Sequence, residues 1–322
     1  MRSWIYLLAC NFMWAMQFTC VKLVQDQVGP LFTVWGPMTL ATVMLYPLIR
    51  SERKHHPAPG AHTKSDVLRY LLMAAVGVFP AQVWVTWGTQ MSTASNAALI
   101  ALTAPITMAI LAVFILGEHM TMNRWVSFGL AVVGVLLCSG SDLRHAHFAK
   151  SFWLGNMLVF LGLTGSGFYN TYGKKMLERY SPMEMLFYTY SAMFVILTPL
   201  VLAREGDVFA RIPHFTTQTW VGMILLTFFH NFLSMVLFLK ALKVLDAIQA
   251  SVSNYLVTFF GVPIAALWLG ERLTLPAIIG GVLVLGSTIL MTFWQEKAPI
   301  DASAPTGEAE AASVSGGSRP LA

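Results

Sequence analysis

His230 is the residue of this 322-residue chain that is best placed to do chemistry, because it lies in the middle of a long apolar run. Away from their ends, such runs contain no Asp, Glu, Lys or Arg, and an unperturbed imidazole titrates near neutral pH. Asn231 follows it and Ser234 comes one helical turn later, so the three side chains can share one helix face. Two interpretations are open: a neighbouring helix supplies a polar partner for His230, or the imidazole lines a cavity and carries protons.

Further polar and aromatic residues recur at helical spacing in other apolar runs. An Asn side chain in hydrocarbon is costly unless its amide is paired, so these faces are expected to point toward neighbouring helices rather than lipid. Each residue then either forms a hydrogen bond between helices or contacts a ligand in an interior cavity. With His230 and Asn231, the candidate cavity-lining residues are Asn11, Trp14, Trp84, Trp87, Tyr169, Asn170 and Asn254.

Motifs for catalysis and cofactor binding are absent from the sequence. There is no H-E-x-x-H and no phosphate-binding Gly-rich loop, and Thr164 stands where a G-x-S-x-G motif around Ser166 would need its first Gly. The histidines outside the apolar runs, such as His55 and His147, are not followed by a carboxylate or thiolate at ligand spacing. We therefore predict no catalytic residues, no cofactor and no bound metal.

The composition indicates that a lipid bilayer is the solvent of this chain. Hydrophobic residues make up 56% of it and charged residues only 11%, against about 25% in soluble domains. The net charge of +5 comes from short basic clusters between apolar runs, such as Arg50, Arg53 and Lys54. Because those clusters form no continuous basic face, nucleic acid is not expected as a partner.

Ten apolar segments are long enough to cross a hydrocarbon core that needs about 20 residues per helix. The predicted fold is therefore an all-α polytopic membrane protein with ten transmembrane helices. Residues 296–322 contain few large apolar residues and are predicted to form a disordered cytoplasmic tail. The ten predicted spans are approximately 3–22, 31–49, 68–89, 94–117, 124–141, 152–173, 183–203, 217–239, 247–270 and 274–294.

The distribution of basic residues predicts the orientation of the spans, because Lys and Arg are retained on the cytoplasmic side. With the N-terminus inside, the inner connections hold 14 of the 20 Lys and Arg residues and the outer ones hold 6. The first apolar run is of span length and lacks a convincing cleavage site, so we expect a retained helix rather than a signal peptide. The chain is predicted to lie in the inner (plasma) membrane with both termini cytoplasmic.

The sequence contains an internal repeat. A shift of 153 residues aligns residues 94–137 with 247–290, with 9 of 44 positions identical, and places Gly117-Glu118 on Gly270-Glu271. Five spans per half is an odd number, so the second copy must cross in the opposite sense, an arrangement typical of secondary transporters. The predicted domains are five-helix repeats over 1–141 and 152–295.

Each Gly-Glu pair stands at the end of an apolar run and has two interpretations. Gly there can relieve the C-terminal backbone of a helix, while Glu marks the membrane surface. A direct role of the pair in gating is the alternative.

These patterns resemble EamA-type permeases of the drug/metabolite transporter superfamily. The resemblance is carried by Gly117-Glu118 and Gly270-Glu271, by Ala94 and Pro105 ahead of the first pair, and by the segment Lys-Ala-Leu-Lys-Val-Leu-Asp-Ala at 240–247. Trp14, Lys22 and Pro30 in the first span and its loop are similar too. The resemblance implies ten helices with both ends inside and, in many members, export of amino acids or other small metabolites.

The charge-free spans predict a solute that is neutral overall, zwitterionic or amphipathic, since an ionic ligand would need a countercharge in a low dielectric. The predicted function is secondary transport of a small organic metabolite, as an exporter that works by alternating access. A non-transporting sensor or scaffold is the open alternative, whereas a membrane enzyme would need a catalytic cluster. The expected partners are the solute, the lipid bilayer and, as an open option, a second copy in a homodimer.

Overall fold

The computed structural model describes only part of the chain, and in that part the backbone forms helices and turns without a strand. Gly270, Glu271 and the tail 296–322 lie outside the described residues, and the predicted spans 124–141 and 274–294 are described only at scattered positions. The described residues are 2–55, 63–91, 97, 100–101, 103–118, 121–123, 125–127, 129–130, 133, 150–257, 259–261, 264, 275, 279, 282–283, 286–287 and 290.

The main helices of the described ranges are α1 (Arg2–Val24), α2 (Pro30–His55), α3 (Lys64–Met91), α4 (Thr103–Leu116), α5 (Lys150–Met176), α6 (Pro182–Glu205), α7 (Thr217–Val244) and α8 (Ala247–Ser253). Five of them, α1, α2, α3, α6 and α7, contain stretches that are long and apolar enough to cross a membrane. The protein is therefore a multi-pass membrane protein, while the total of ten spans stays a prediction.

Two of the long helices change type along their length. α3 is π-helical over Met73–Val78 and Pro80–Trp84, and α7 is π-helical over Leu226–Leu233. Pro80 has no amide hydrogen to donate, which explains part of the irregularity of α3. The π-helical stretches of α3 and α7 begin 153 residues apart, the same offset as the repeat in the sequence.

The starts of α3 and α7 are capped by threonines that are also 153 residues apart. The Thr63 hydroxyl accepts a hydrogen bond from the Asp66 amide at 3.4 Å, and the Thr216 hydroxyl accepts one from the Thr219 amide at 3.3 Å. Both side chains satisfy a donor that the first turn of a helix leaves unpaired. The caps fix where the two helices begin.

α2 and α6 each end near a glutamate whose carboxylate accepts hydrogen bonds at the start of the other of these two helices. Glu205, the last residue of α6, accepts from the amides of Leu31 at 3.0 Å and Phe32 at 2.8 Å, in the first turn of α2. Glu52, near the end of α2, accepts from the hydroxyl of Ser181 at 3.0 Å, and Ser181 is the residue that caps α6. Glu52 and Glu205 are 153 residues apart, so α2 and α6 are joined at both ends in a related way.

The helices approach each other closely at positions where one of them has a glycine. α5 packs along α3 and α4, α6 packs along α2, and α1 packs along the second half of α7. A Cβ atom on Gly162 of α5 would lie 2.7 Å from the carbonyl oxygen of Pro80 in α3. Because lipid gives little hydrophobic drive for helices to associate, such close van der Waals contact is a main source of stability within a bilayer.

Candidate functional site

A cavity of about 110 Å³ lies among the helices of the described part. Its walls come from α1, α3, α4, α5, α6 and α7 and from residues just after α8. The wall combines apolar and aromatic side chains with a few polar ones, the usual composition of a small-molecule site. The lining residues are Trp14, Gln17, Phe18, Val78, Ala81, Gln82, Val85, Ala101, Ala104, Leu163, Ser166, Tyr169, Asn170, Tyr190, His230, Met235, Asn254 and Val257.

Five of the residues predicted from the sequence meet in this cavity, although they come from four different segments. They are Trp14, Tyr169, Asn170, His230 and Asn254.

The other four predicted residues lie elsewhere. Asn11 is buried, and its amide donates to the carbonyl of Leu7 at 2.8 Å and to the hydroxyl of Ser253 at 3.2 Å. Trp84 contacts the ring of Phe79 edge-on, and 46% of Trp87 is exposed on the outer surface of the helices.

Asn231 lies behind the cavity wall and stabilises the π-helical stretch of α7. Its side-chain amide donates to the carbonyl of Leu226 at 2.8 Å, five residues earlier. The backbone carbonyl of Asn231 accepts from the hydroxyl of Tyr190 at 3.0 Å, which joins α7 to α6. π-helical turns of this kind occur frequently at functional sites, and here the turn carries His230 into the cavity.

His230 has no hydrogen-bond partner for either ring nitrogen among the described residues, although only 5% of it is exposed. Its backbone carbonyl accepts from the hydroxyl of Ser234, which in turn accepts from the indole nitrogen of Trp14 at 3.0 Å. The Tyr169 hydroxyl and the Asn254 side-chain oxygen are also buried without a partner in the described ranges. Each such group costs about 1–3 kcal/mol if it stays unsatisfied, so the cavity offers several polar atoms to a ligand or water.

Sequence reasoning missed Gln17, Gln82 and Tyr190 as cavity residues. Gln17 stands three residues after Trp14, so helical spacing could have found it. Gln82 lies within the π-helical part of α3, where i→i+5 bonding displaces side chains from the faces expected for an α-helix.

The described cavity wall has no Asp, Glu, Lys or Arg, and His230 contributes its imidazole. No group of three His, Cys, Asp or Glu side chains that could hold a metal occurs within the described ranges. The wall provides uncharged donors and acceptors around an apolar space. That chemistry suits reversible binding of a small organic molecule.

The Gly117-Glu118 pair ends α4 and reaches another helix. Gly117 has a φ of +67°, in the left-handed region that glycine adopts at helix ends, and its amide donates to the carbonyl of Val113 at 3.2 Å. The Glu118 carboxylate accepts from the amides of Ala247 at 2.7 Å and Ile248 at 3.0 Å, the first two residues of α8. The carboxylate therefore joins the end of α4 to the start of α8.

Several membrane-spanning helices around a cavity lined by apolar and uncharged polar side chains are features found in membrane transport proteins. The sequence matches the EamA-like transporter family over residues 1–140 and 153–293. Because these ranges cover most of the chain, it belongs to the EamA-like transporter family, as the sequence motifs predicted.

Some relatives have names that describe an activity. A probable terminal-alkyne amino-acid exporter of Streptantibioticus cattleyicolor is 29% identical over 278 residues, covering 86% of this chain and 89% of the relative. An S-adenosylmethionine uptake transporter of Rickettsia prowazekii is 24% identical over 233 residues, covering 72% of each chain. Both relatives are named as transporters, and they differ in direction and solute.

One solved crystal structure has the same overall fold. It superposes with a TM-score of 0.71 at 11% identity, covering 92% of this chain and 99% of the other. At that identity the similarity shows the fold alone.

Proposed function

We propose that this protein is a secondary transporter that exports small organic metabolites, such as amino acids, across the cytoplasmic membrane by alternating access. It has ten transmembrane helices in two inverted five-helix repeats, 1–141 and 152–295, with both termini and the tail 296–322 in the cytoplasm. The protein acts as a carrier and not as an enzyme. The observation that carries the proposal is the buried cavity, where His230, Tyr169 and Asn254 present polar atoms without partners in the described part of the chain.

Three pairs of structural features support the inverted repeat. The threonine caps Thr63 and Thr216, the starts of the π-helical stretches of α3 and α7, and the glutamates Glu52 and Glu205 are each 153 residues apart. Two halves that share such details at one offset are expected to descend from one repeated unit. Inverted repeats allow a central site to open alternately to each side.

The cavity chemistry favours a small solute without net charge. A zwitterionic amino acid can accept a hydrogen bond from the Tyr169 hydroxyl and donate from its ammonium group to the Asn254 oxygen, while Trp14 and Phe18 contact an apolar side chain. A multiply charged anion would need a countercharge that the described wall lacks. The S. cattleyicolor relative, named as an amino-acid exporter, supports the same class and direction.

Counterflow in proteoliposomes tests this function. Vesicles that contain the purified protein and a panel of unlabelled neutral amino acids and metabolites are exposed to traces of the matching labelled compounds. We expect protein-dependent exchange for one class of neutral or zwitterionic solute, and protection of overexpressing cells against toxic analogues of that class. Exchange of multiply charged anions alone would contradict the proposed solute class. A lack of exchange for every compound would favour a sensor or scaffold.

A further inference from the structure

The turn between α7 and α8 is held by two charged side chains from other helices. The Lys174 ammonium of α5 donates to the carbonyls of Leu242 at 2.8 Å and Leu245 at 2.7 Å. The Glu118 carboxylate accepts from the amides of Ala247 and Ile248 at 2.7 and 3.0 Å. We call Glu118 and Lys174 together the turn clamp.

The turn clamp matches the electrostatics of the two helix ends. The last turn of a helix leaves carbonyl oxygens unpaired and carries partial negative charge, whereas the first turn leaves amides unpaired and carries partial positive charge. Lys174 places a cation at the end of α7, and Glu118 places an anion at the start of α8. Charge-assisted bonds of this kind are stronger than bonds between neutral groups.

The hydrogen bonds to Glu118 pair free amides in the first turn of α8, and they also connect α8 to another helix. The side chain of Gln249, within α8 itself, already accepts from the Asp246 amide at 3.3 Å. Glu118 comes from 129 residues earlier and takes the next two amides. Its effect is therefore to fix the position of α8 relative to α4.

The clamped turn lies further along α7 than the part of that helix that lines the cavity. Met235 is the α7 lining residue nearest the turn, and Leu242 comes seven residues later, about 10 Å along the helix. Phe238 and Leu239, which come between these two positions along α7, and Ile248 at the start of α8 are fully buried. A solute in the cavity reaches this end of the protein only when α7 and α8 move away from the helices packed against them.

We propose that Glu118 and Lys174 are positioning residues for transport, and that their bonds to the α7–α8 turn hold the cavity closed at this end. The inference rests on the proposed function, because alternating access requires the same cavity to open here in the other half of the cycle. Opening breaks the clamp bonds and lets water replace them. Weakening the clamp therefore shifts the resting population toward the conformation that is open at this end.

Cysteine labelling measures that shift directly. Leu239→Cys is introduced after Cys10, Cys20 and Cys138 are replaced by Ala, and its reaction with a water-soluble maleimide is followed in purified protein, because Leu239 is fully buried in this conformation and becomes accessible when this end opens. We expect Glu118→Gln and Lys174→Gln each to raise the labelling rate about tenfold, the effect of losing one charge-assisted hydrogen bond. Lys174→Arg keeps the charge and should restore most of the slow labelling.

Exposed neighbours provide matched controls. Lys175→Gln and Lys240→Gln each remove a positive charge from the exposed surface close to the clamp, as Lys174→Gln removes one from the clamp, and should leave the labelling rate unchanged. Unchanged labelling in both clamp variants, with helix content and elution volume as in the parent protein, would overturn the proposal. Equal acceleration by the two control variants would overturn it too, because surface charge would then explain the effect.

The labelling experiment needs no solute, so it tests the clamp proposal independently of the proposed transport function. If the parent protein exchanges a solute and the clamp variants label at the parent rate, the clamp proposal is wrong while the function stands. If no compound is exchanged and the clamp variants still label faster, the clamp closes a cavity that does not serve transport. That result would support a structural role of the clamp and contradict its role in transport.

Discussion

At the scale of single residues, His230 is the most informative position, because its imidazole is buried in a cavity and has no partner within the described residues. A histidine whose role is to join two helices would show a hydrogen bond to the neighbouring helix. The helices around His230 are joined by other groups: the Trp14 indole donates to the Ser234 hydroxyl, and the Tyr190 hydroxyl donates to the backbone carbonyl of Asn231. This arrangement favours the cavity role over the structural one.

We expect His230→Ala to raise the KM of the exchanged solute about tenfold, since a hydrogen bond in the binding site is lost. The free energy of unfolding should fall by less than about 1 kcal/mol, because no bond between helices is removed. Counterflow kinetics and thermal unfolding in detergent measure the two effects. Phe229→Ala, at the exposed position next to His230, is the control. A large loss of stability with an unchanged KM would support the structural role.

A second substitution separates binding from proton coupling at the same position. His230→Gln keeps a donor and an acceptor but cannot carry a proton. If His230 couples transport to protons, this variant should retain counterflow and lose accumulation driven by a pH gradient. Equal accumulation by the variant and the parent protein would exclude the coupling role.

The cavity could be predicted from the sequence only in part, and the reason lies in helix geometry. The polar residues of α5 and α7 were found because an intramembrane His or Asn is rare and must face other helices. Trp84 and Trp87 were grouped by α-helical spacing, but the π-helical part of α3 places Gln82 on the cavity instead. Hydrogen bonding between helices was one of the two interpretations of each Asn, but spacing rules cannot tell which group an Asn meets, so the partners of Asn11 and Asn231 were not foreseen.

At the scale of helices, the contact between α3 and α5 depends on glycines that allow backbone to approach backbone. Gly162 faces the carbonyl oxygen of Pro80 and the side chain of Val85, and a Cβ atom would lie 2.7 Å from each. Gly165 faces the same stretch of α3, one turn further along α5. Since two walls of the cavity belong to these helices, their separation sets its width.

Gly162→Leu should therefore destabilise the protein by about 1–3 kcal/mol, the usual cost of forcing extra atoms into a packed contact. Thermal unfolding in detergent measures the loss. Leu161→Ala, at the adjacent exposed position, should change the stability by less than about 0.5 kcal/mol. Similar stability of Gly162→Leu and the parent protein would mean that α3 and α5 can separate at little cost.

At the scale of the whole molecule, family membership and the multi-pass character were predictable because hydrophobic length and a few motifs determine both. The repeat was visible as an offset of 153 residues, and the same offset relates caps, π-helical stretches and carboxylates in the described helices. The sequence contained no sign that Lys174 and Glu118 meet at one turn. Their contacts join residues from different helices, and the spacing of residues along the chain does not predict contacts of that kind.

The proposed orientation gives a direct test on intact cells. Asp207→Cys, between α6 and α7, should react with a membrane-impermeant maleimide from outside, because that connection is predicted to be external. Glu178→Cys, between α5 and α6, should react only after the membrane is permeabilised. Cys138 is first replaced by Ala, and Cys10 and Cys20 are buried in the protein and should contribute little background. The reverse labelling pattern would show that the predicted orientation is wrong.

The bond between Glu205 and the start of α2 has a consequence for biosynthesis. The carboxylate follows the amide of Leu31 by 174 residues in the chain. At a synthesis rate of about 5–20 residues per second, the ribosome needs roughly 9–35 seconds to reach it after α2 has begun to form. During that interval the first turn of α2 depends on water or lipid headgroups for its free amides. The first turn of α2 is therefore completed only after α6 has been made, so these two helices depend on each other during assembly.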